Sequence, residues 1–168
     1  MATVTGSVVK VRLLGVMSAV VTLALDQAHK AYMEYVFFPA HAPPVKIGPY
    51  FDLMMAWNSG VSYSMFSAHT ASGRFWLLAV TLAATLALAL WLSRVSKPIV
   101  AIGIGLLIGG ALGNALDRFR FGAVADFFYF HIGSFSWYIF NIADCGIVAG
   151  VGLLLLDGLF FGDTKPQG

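Results

Sequence analysis

Long uncharged apolar runs separated by short polar stretches dominate this chain. An uncharged core at residues 13–25 follows Lys10 and Arg12, residues 75–92 carry no charged side chain, residues 99–116 carry none either, and residues 138–161 hold only Asp144 and Asp157. A helix needs about 20 apolar residues to cross a bilayer core. Four spans are therefore expected, at about residues 11–29, 75–92, 99–116 and 138–161, with outer connections at 30–74 and 117–137. Pro39, Pro43, Pro44, Gly48 and Pro49 exclude a continuous helix in the first connection. The piece at residues 50–66 is aromatic and β-favouring, with Asn58-Ser59-Gly60 as a turn. It predicts a small sheet, an extracytoplasmic cradle at the membrane surface, its Tyr and Trp in the interfacial belt.

Glycine spacing refines the picture. Pro98 is placed to open the third span. Gly105, Gly109 and Gly113 recur every four residues along it, and Gly146 and Gly150 repeat the device in the fourth. Such stripes let helices approach closely, and the third and fourth spans are expected to pack on each other. The stripes are needed inside the bundle, which favours a monomer.

Composition agrees with the pattern. The chain is 59% hydrophobic and 11% charged, with mean hydropathy +0.82, whereas soluble domains run near a quarter charged, about 25%. The reading is an all-α membrane protein, a single domain over residues 1–168, with a β-rich cradle. A net charge of +2 is too small and scattered to suggest nucleic acid. The lone Cys145 excludes an intramolecular disulfide and a CxxC site. The first span is expected to be retained, because its apolar run ends in Asp26, Gln27, Ala28, His29 and Lys30 without a small-x-small cleavage pattern. Basic residues tie at five on each side: Lys10, Arg12, Arg94, Lys97 and Lys165 against Lys30, Lys46, Arg74, Arg118 and Arg120. The first group sits on shorter segments with fewer acids, so both termini are expected in the cytoplasm.

That topology gathers Asp26, Lys30, Asn58, Asp117, Arg118, Asp126 and the start of the fourth span at the outer face. Asp144 is expected about six residues inside the fourth span, roughly 9 Å deep. A mid-membrane aspartate there costs about 2.5–3.5 kcal/mol on insertion scales. Asn141, three residues earlier, shares its helix face, while Cys145 is rotated away. Phe127–Phe130 and Phe135–Phe140 flank His131-Ile132-Gly133-Ser134, a reversal that would fold Asp126 over the mouth of the fourth span. Two carboxylates that close share a proton; the ionised one can activate water while the protonated one polarises a peptide carbonyl. Spacing alone leaves open a structural aspartate or a proton relay. The relay predicts ionisable groups at successive depths, which the inner halves of the second and third spans lack. The histidines, His29, His41, His69 and His131, show no metal-ligand spacing and read as solvent or interfacial residues.

Five motifs occur together in order. They are Asp26-x-x-x-Lys30, Asn58-x-Gly60, the stretch Gly109-Gly110-Ala111-Leu112-Gly113-Asn114-Ala115-Leu116-Asp117-Arg118, then Val124-Ala125-Asp126-Phe127, and Phe140-Asn141-Ile142-Ala143-Asp144. With the four-span layout they cover nearly the whole chain, and in them the chain resembles the lipoprotein signal peptidase (signal peptidase II) family of bacterial intramembrane aspartyl proteases. The resemblance implies that Asp126 and Asp144 are a catalytic dyad. It implies a prolipoprotein substrate whose lipobox cysteine carries diacylglycerol, cleaved on the amino side of that cysteine at the bacterial inner membrane, with membrane lipid as the other partner and no cofactor or metal. It assigns supporting or substrate-binding roles to Asp26, Lys30, Asn58, Gly60, Gly110, Asn114, Arg118, Asn141 and Ala143. Of these, Asn114 and Arg118 share a helix face. Arg118 is read as holding a substrate carbonyl or tuning the acids, or else as an interfacial snorkelling arginine. Asn58 is read as a substrate backbone contact or a plain turn residue. Asp26 and Lys30 form an i, i+4 pair bracing the first span, and Asp117 is expected to cap or brace the loop. Two departures stand out. Val61-Ser62-Tyr63-Ser64-Met65-Phe66 follows Gly60 where small residues and then Phe are common, and Cys145 stands where serine is frequent.

Overall fold

The third span is the axis of the molecule, and glycine makes it so. In the computed structural model, which describes residues 2–37, 43–60 and 71–161, four helices are long and apolar enough to cross a membrane. They are α1 (Ala2–Phe37), α2 (Ala71–Leu92), α3 (Pro98–Phe121) and α4 (Ile142–Phe160). His41, His69, Lys165 and the 61–66 departure lie outside the described residues.

Pro98 sits in the first turn of α3, where its missing N–H costs nothing. Gly105 and Gly109 face α1: a Cβ at Gly105 would overlap the carbonyl of Gly15, and one at Gly109 the carbonyl of Ala19. Gly103 and Gly110 face α4, against the carbonyls of Gly150 and Ala143. The Gly105/Gly109/Gly113 stripe therefore packs on α1 and not, as its spacing suggested, on α4, which meets the stripe rotated to Gly103 and Gly110. With lipid as solvent such packing rests on close van der Waals contact rather than on escape from water.

Two helices run past their expected ends and one starts late. α1 continues to Phe37, beyond the expected exit at His29, because Asp26, Lys30 and Met33 bury one face against protein. At about 1.5 Å per residue, its 36 residues span roughly 54 Å, more than a bilayer core of about 30 Å. α3 continues to Phe121, where Gly122 closes it at φ 78° with its N–H on the Arg118 carbonyl. Asp117 and Arg118 are therefore helical, not part of a loop. α4 begins at Ile142, four residues later than its expected start at 138, because the preceding segment is tied into the sheet: Phe127 and Phe128 donate to the Phe140 carbonyl and Phe140 donates back to Phe128.

The expected cradle is a four-stranded antiparallel sheet, β1 (Val45–Lys46), β2 (Phe51–Asn58), β3 (Val124–Ile132) and β4 (Phe135–Ser136), in that spatial order. β3 turns into β4 through Gly133 at φ 57°, the reversal expected at His131–Ser134. β2 and β3 pair through Ala56↔Asp126 and Asn58↔Val124, and the register shifts between Leu53 and Ala56. Such a bulge re-aims the strand beside it, here next to Asp126. Two apolar clusters bracket the bundle. One joins Val11, Ala19, Leu92, Ala101 and Ile104 at the end of the α2–α3 turn; the other places Met33 of α1 under Ala125 and Phe127 of the sheet. Between them lies a polar layer.

Candidate active site

That layer is built outward from two acids on different elements. Asp126 is the third residue of β3 and is 2% exposed. Asp144 lies in the first turn of α4, as the N3 member of a capping box with Asn141 at the N-cap. It is thus not six residues deep in a span; the late start of α4 brings it to the helix mouth, where unpaired N–H groups favour negative charge. Asn141 is the cap rather than a helical neighbour on the same face.

The asparagines join the acids. Asn141 donates its Nδ2 to Asp126 Oδ1 at 2.6 Å, accepts the Asp144 N–H on Oδ1 at 2.9 Å, and donates its own N–H to Asp144 Oδ2 at 3.2 Å. Asn114 donates Nδ2 to Asp144 Oδ1 at 2.9 Å and faces Asn141 Nδ2 with its Oδ1 at 3.1 Å. Asn58 donates to the other Asp126 oxygen at 3.2 Å while its Oδ1 accepts the Gly60 N–H at 3.0 Å. Burial and then the neighbouring Asp144 push the Asp126 carboxyl from its ordinary 3.8 up to about 7, against the opposing pull of Asn58, Asn141 and Lys30. Near neutral pH the pair can hold one proton, offering a donor and an acceptor side by side.

Behind the acids lies a buried ionic group. Lys30 Nζ is 2.9 Å from Asp26 Oδ2 and 2.7 Å from Asp117 Oδ2, and it donates to Asn114 Oδ1 at 3.3 Å. Gln27 Nε2 reaches Asp26 Oδ2 and Asp117 Oδ1, both at 3.1 Å. Removing one member of such a group strands charge in a dry interior, at a cost of about 3–5 kcal/mol. Asp26 and Lys30 thus do more than brace the end of α1. Asp117 braces the following segment as expected, accepting the Ala125 N–H at 3.1 Å, and it also joins the ionic group, a part that the sequence reading gave neither to it nor to Gln27. Asp117 was detectable, because 105, 109, 113 and 117 form one unbroken four-residue stripe once α3 is extended a turn. Gln27 carries no such signal.

The acids open onto a cavity of about 460 Å³, within the range of roughly 300–1,000 Å³ usual for ligand sites. Asn58, Gly60, Asn114, Arg118, Asp126, Tyr138 and Asp144 form its polar end; Leu77, Val80, Thr81 and Ala84 of α2 and Ile147 and Val148 of α4 form an apolar wall. Arg118 spends its guanidinium on carbonyls, Gly60 O at 3.1 Å and Asn114 O at 3.4 Å, and its buried Nε has no partner. This places it at the cavity and sets aside the snorkelling reading. Gly110 and Ala143 lie behind the acids as a contact of α3 with α4, not on the cavity. Cys145 is exposed, on another face of α4 from Asp144, as its rotation predicts. Two histidines are not merely interfacial: His131 lies 3.2 Å from Asp52 across the sheet, and the His29 ring packs on Phe127 and Phe128. Among the described residues no three His, Cys, Asp or Glu side chains converge as a metal would need.

Four spans and a small antiparallel sheet define a multi-pass membrane protein, with an acid pair at the polar end of a cavity whose wall is apolar. A family model for signal peptidase (SPase) II matches residues 18–160. The lipoprotein signal peptidase of Beijerinckia indica is 54% identical over 146 residues, 87% of each chain. That of Methylocella silvestris is 52% identical over 149 residues, 89% of this chain and 87% of its own. A solved bacterial membrane enzyme, 24% identical, superposes with a TM-score of 0.74 over 92% of this chain and 94% of its own, a likeness of fold. The chain belongs to the signal peptidase II family and is a membrane peptidase.

Proposed function

We propose that this protein is an aspartic endopeptidase that removes the signal peptide from diacylglyceryl-modified prolipoproteins, cutting on the amino side of the lipidated cysteine. The observation that carries the reading is the bridged acid pair, Asp126 and Asp144 tied through Asn141 and Asn114 at the polar end of a cavity whose wall is apolar. The ionised carboxylate takes a proton from water as its oxygen attacks the scissile carbonyl carbon, and the protonated carboxyl hydrogen-bonds and then protonates the carbonyl oxygen. Collapse of the tetrahedral intermediate breaks the C–N bond: the carboxylate that had protonated the carbonyl oxygen takes a hydroxyl proton back, and the proton taken from water passes from the other carboxyl to the leaving amine, restoring the singly protonated pair. The products are a signal peptide with a new carboxyl end and a lipidated cysteine with a free amine. We assign Arg118, whose Nε has no partner in the protein, and Asn58, beside Asp126, to the substrate backbone, and the α2–α4 wall to acyl chains or the signal-peptide helix entering from the bilayer.

We place both termini in the cytoplasm of the bacterial inner membrane and the acids near the outer face. The basic residues on the side of the termini sit on shorter segments with fewer acids, which favours that side as cytoplasmic. A proton relay lacks support: Asp157, at the far end of α4, is paired with Lys97 at 3.3 Å. The test is cleavage of a diacylglyceryl-modified prolipoprotein by folded Asp126→Asn and Asp144→Asn. Each is expected to lose at least about 10³-fold in kcat, given what positioned acid–base groups contribute; near-normal turnover in either rejects the dyad.

A further inference from the structure

We infer that Lys30, Asp26 and Asp117 form a yoke that sets the spacing of Asp126 and Asp144, with Lys30 as the central positioning residue; this rests on the reading of those acids as the catalytic pair. The atoms are arranged almost symmetrically about the ammonium. Asp26, 2.9 Å from Lys30, uses its other oxygen to accept the N–H of Ala143 at 2.9 Å. Asp117, 2.7 Å from Lys30, accepts the N–H of Ala125 at 3.1 Å. Ala143 and Ala125 are the residues immediately before Asp144 and Asp126. The third arm runs from Lys30 to Asn114 Oδ1, and Asn114 Nδ2 holds the Asp144 carboxylate itself. All three directions of the ammonium lead to the acid pair, two through backbone and one through a side chain.

The chemistry favours positioning over a plain packing clamp. Asp26, Lys30 and Asp117 are 0%, 2% and 1% exposed, so no water screens the group and its geometry is directional. Helix packing alone is served as well by apolar side chains, and buried ion groups are poor devices for stability by themselves. Gln27 forms a second, neutral crossbeam between the same two carboxylates. Gly113 leaves the room this requires, since a Cβ there would strike the Asp26 carboxylate. The yoke ties α1 to β3 and to α4 through the backbone N–H groups next to the two acids, in addition to the direct link that Asn141 makes between β3 and α4.

The experiment measures kcat, KM and the pH profile of prolipoprotein cleavage in micelles for Lys30→Met, Lys30→Arg, Asp117→Asn and Asp126→Asn. All values are normalised to the folded, monodisperse fraction. Lys30→Met is expected to lower kcat by about 100-fold, the scale of an ångström-sized misplacement, with KM within about twofold. Its alkaline limb is expected at higher pH, since the Lys30 charge pulls on the Asp126 proton from within a setting that also holds Asp144 and Arg118. Lys30→Arg, too large and planar for the same three directions, is expected to recover only part of the loss. If Lys30→Met does not fold, Asp117→Asn decides, with an expected fall of about 10-fold in kcat and unchanged KM. Wild-type kcat and pH profile in folded Lys30→Met, or in Asp117→Asn where the former is unfolded, overturn the yoke. Turnover by Asp126→Asn instead overturns the underlying reading of the pair, so the two failures are distinguishable.

Discussion

Helices α2 and α3 have almost the same mean hydropathy over their most apolar windows, 2.2 and 2.1, yet 6% of the first window is buried inside the protein and 61% of the second. Hydropathy records that a segment has left water; it does not record whether lipid or protein replaced it. What separates the two helices is residue size and polarity. α3 carries Gly103, Gly105, Gly109, Gly110 and Gly113, where neighbouring backbones press close, and then Asn114, Asp117 and Arg118. α2 carries its glycine at the very start and shows Leu82, Leu86 and Leu90 to the outside. The central helix builds the site, and the peripheral one walls it.

Five substitutions put that division to the test. The largest effect is expected from Asn114→Leu on α3, which removes the amide from Asp144 and the oxygen from Lys30. A preorganised hydrogen-bond donor at an active site is worth about 10²–10³ in kcat, so cleavage by the folded variant should fall on that scale; a loss under threefold would separate α3 from the chemistry.

Next, a valine at Gly110 of α3 collides with the Ala143 carbonyl and should cost about 1–3 kcal/mol of stability, read as a lower unfolding midpoint in mixed micelles. The matched Ala84→Val on α2 should leave that midpoint within about 0.5 kcal/mol while raising KM, because Ala84 faces the cavity. Equal destabilisation by both would erase the contrast.

Asn58→Ala tests a group that reaches the acids from the sheet. Asn58 holds the Asp126 carboxyl below where burial alone would place it, so its loss raises that carboxyl further. On the proposed acid pair, activity needs the shared proton and is expected to fall as pH rises through about 7; in Asn58→Ala the alkaline limb of kcat/KM should move to higher pH. Asp126 binds its proton more tightly folded than unfolded, so its contribution to stability weakens as pH rises from 3.8 to about 7 and is flat above. Stability of Asn58→Ala should therefore decline with pH over a window reaching higher than the wild type's. An alkaline limb that stays put removes Asn58 from the acid pair.

The smallest effect belongs to Leu86→Val on the lipid face of α2, 62% exposed: stability should change by less than about 0.5 kcal/mol and kcat/KM not at all. A larger change would mean that this face meets more than lipid.

Much of the architecture was legible because it follows from local rules. Apolar runs placed four spans, Pro98 opened α3, Gly133 allowed the β3–β4 reversal, and five ordered motifs pointed to the family. The same rules misplaced whatever depended on a distant partner. The glycine stripe was plain, but its spacing could not say that Gly105 meets α1 and Gly110 meets α4. Counting from the start of the apolar run put Asp144 deep in the membrane, because nothing local shows that residues 138–141 are held by the sheet and that Asn141 caps the helix.

The sequence by itself determined the solvent each segment would accept, where backbones could approach closely, and which polar residues had to find partners. Only the tertiary structure decided who those partners were. The N–H of Ala143 meets Asp26 across 117 residues of chain, and Lys30 meets Asn114 across 84. Hydropathy and helical period are properties of neighbours along the chain. A hydrogen bond in a dry interior is directional and spans ångströms, so its partner is chosen by how helices and sheet pack in space.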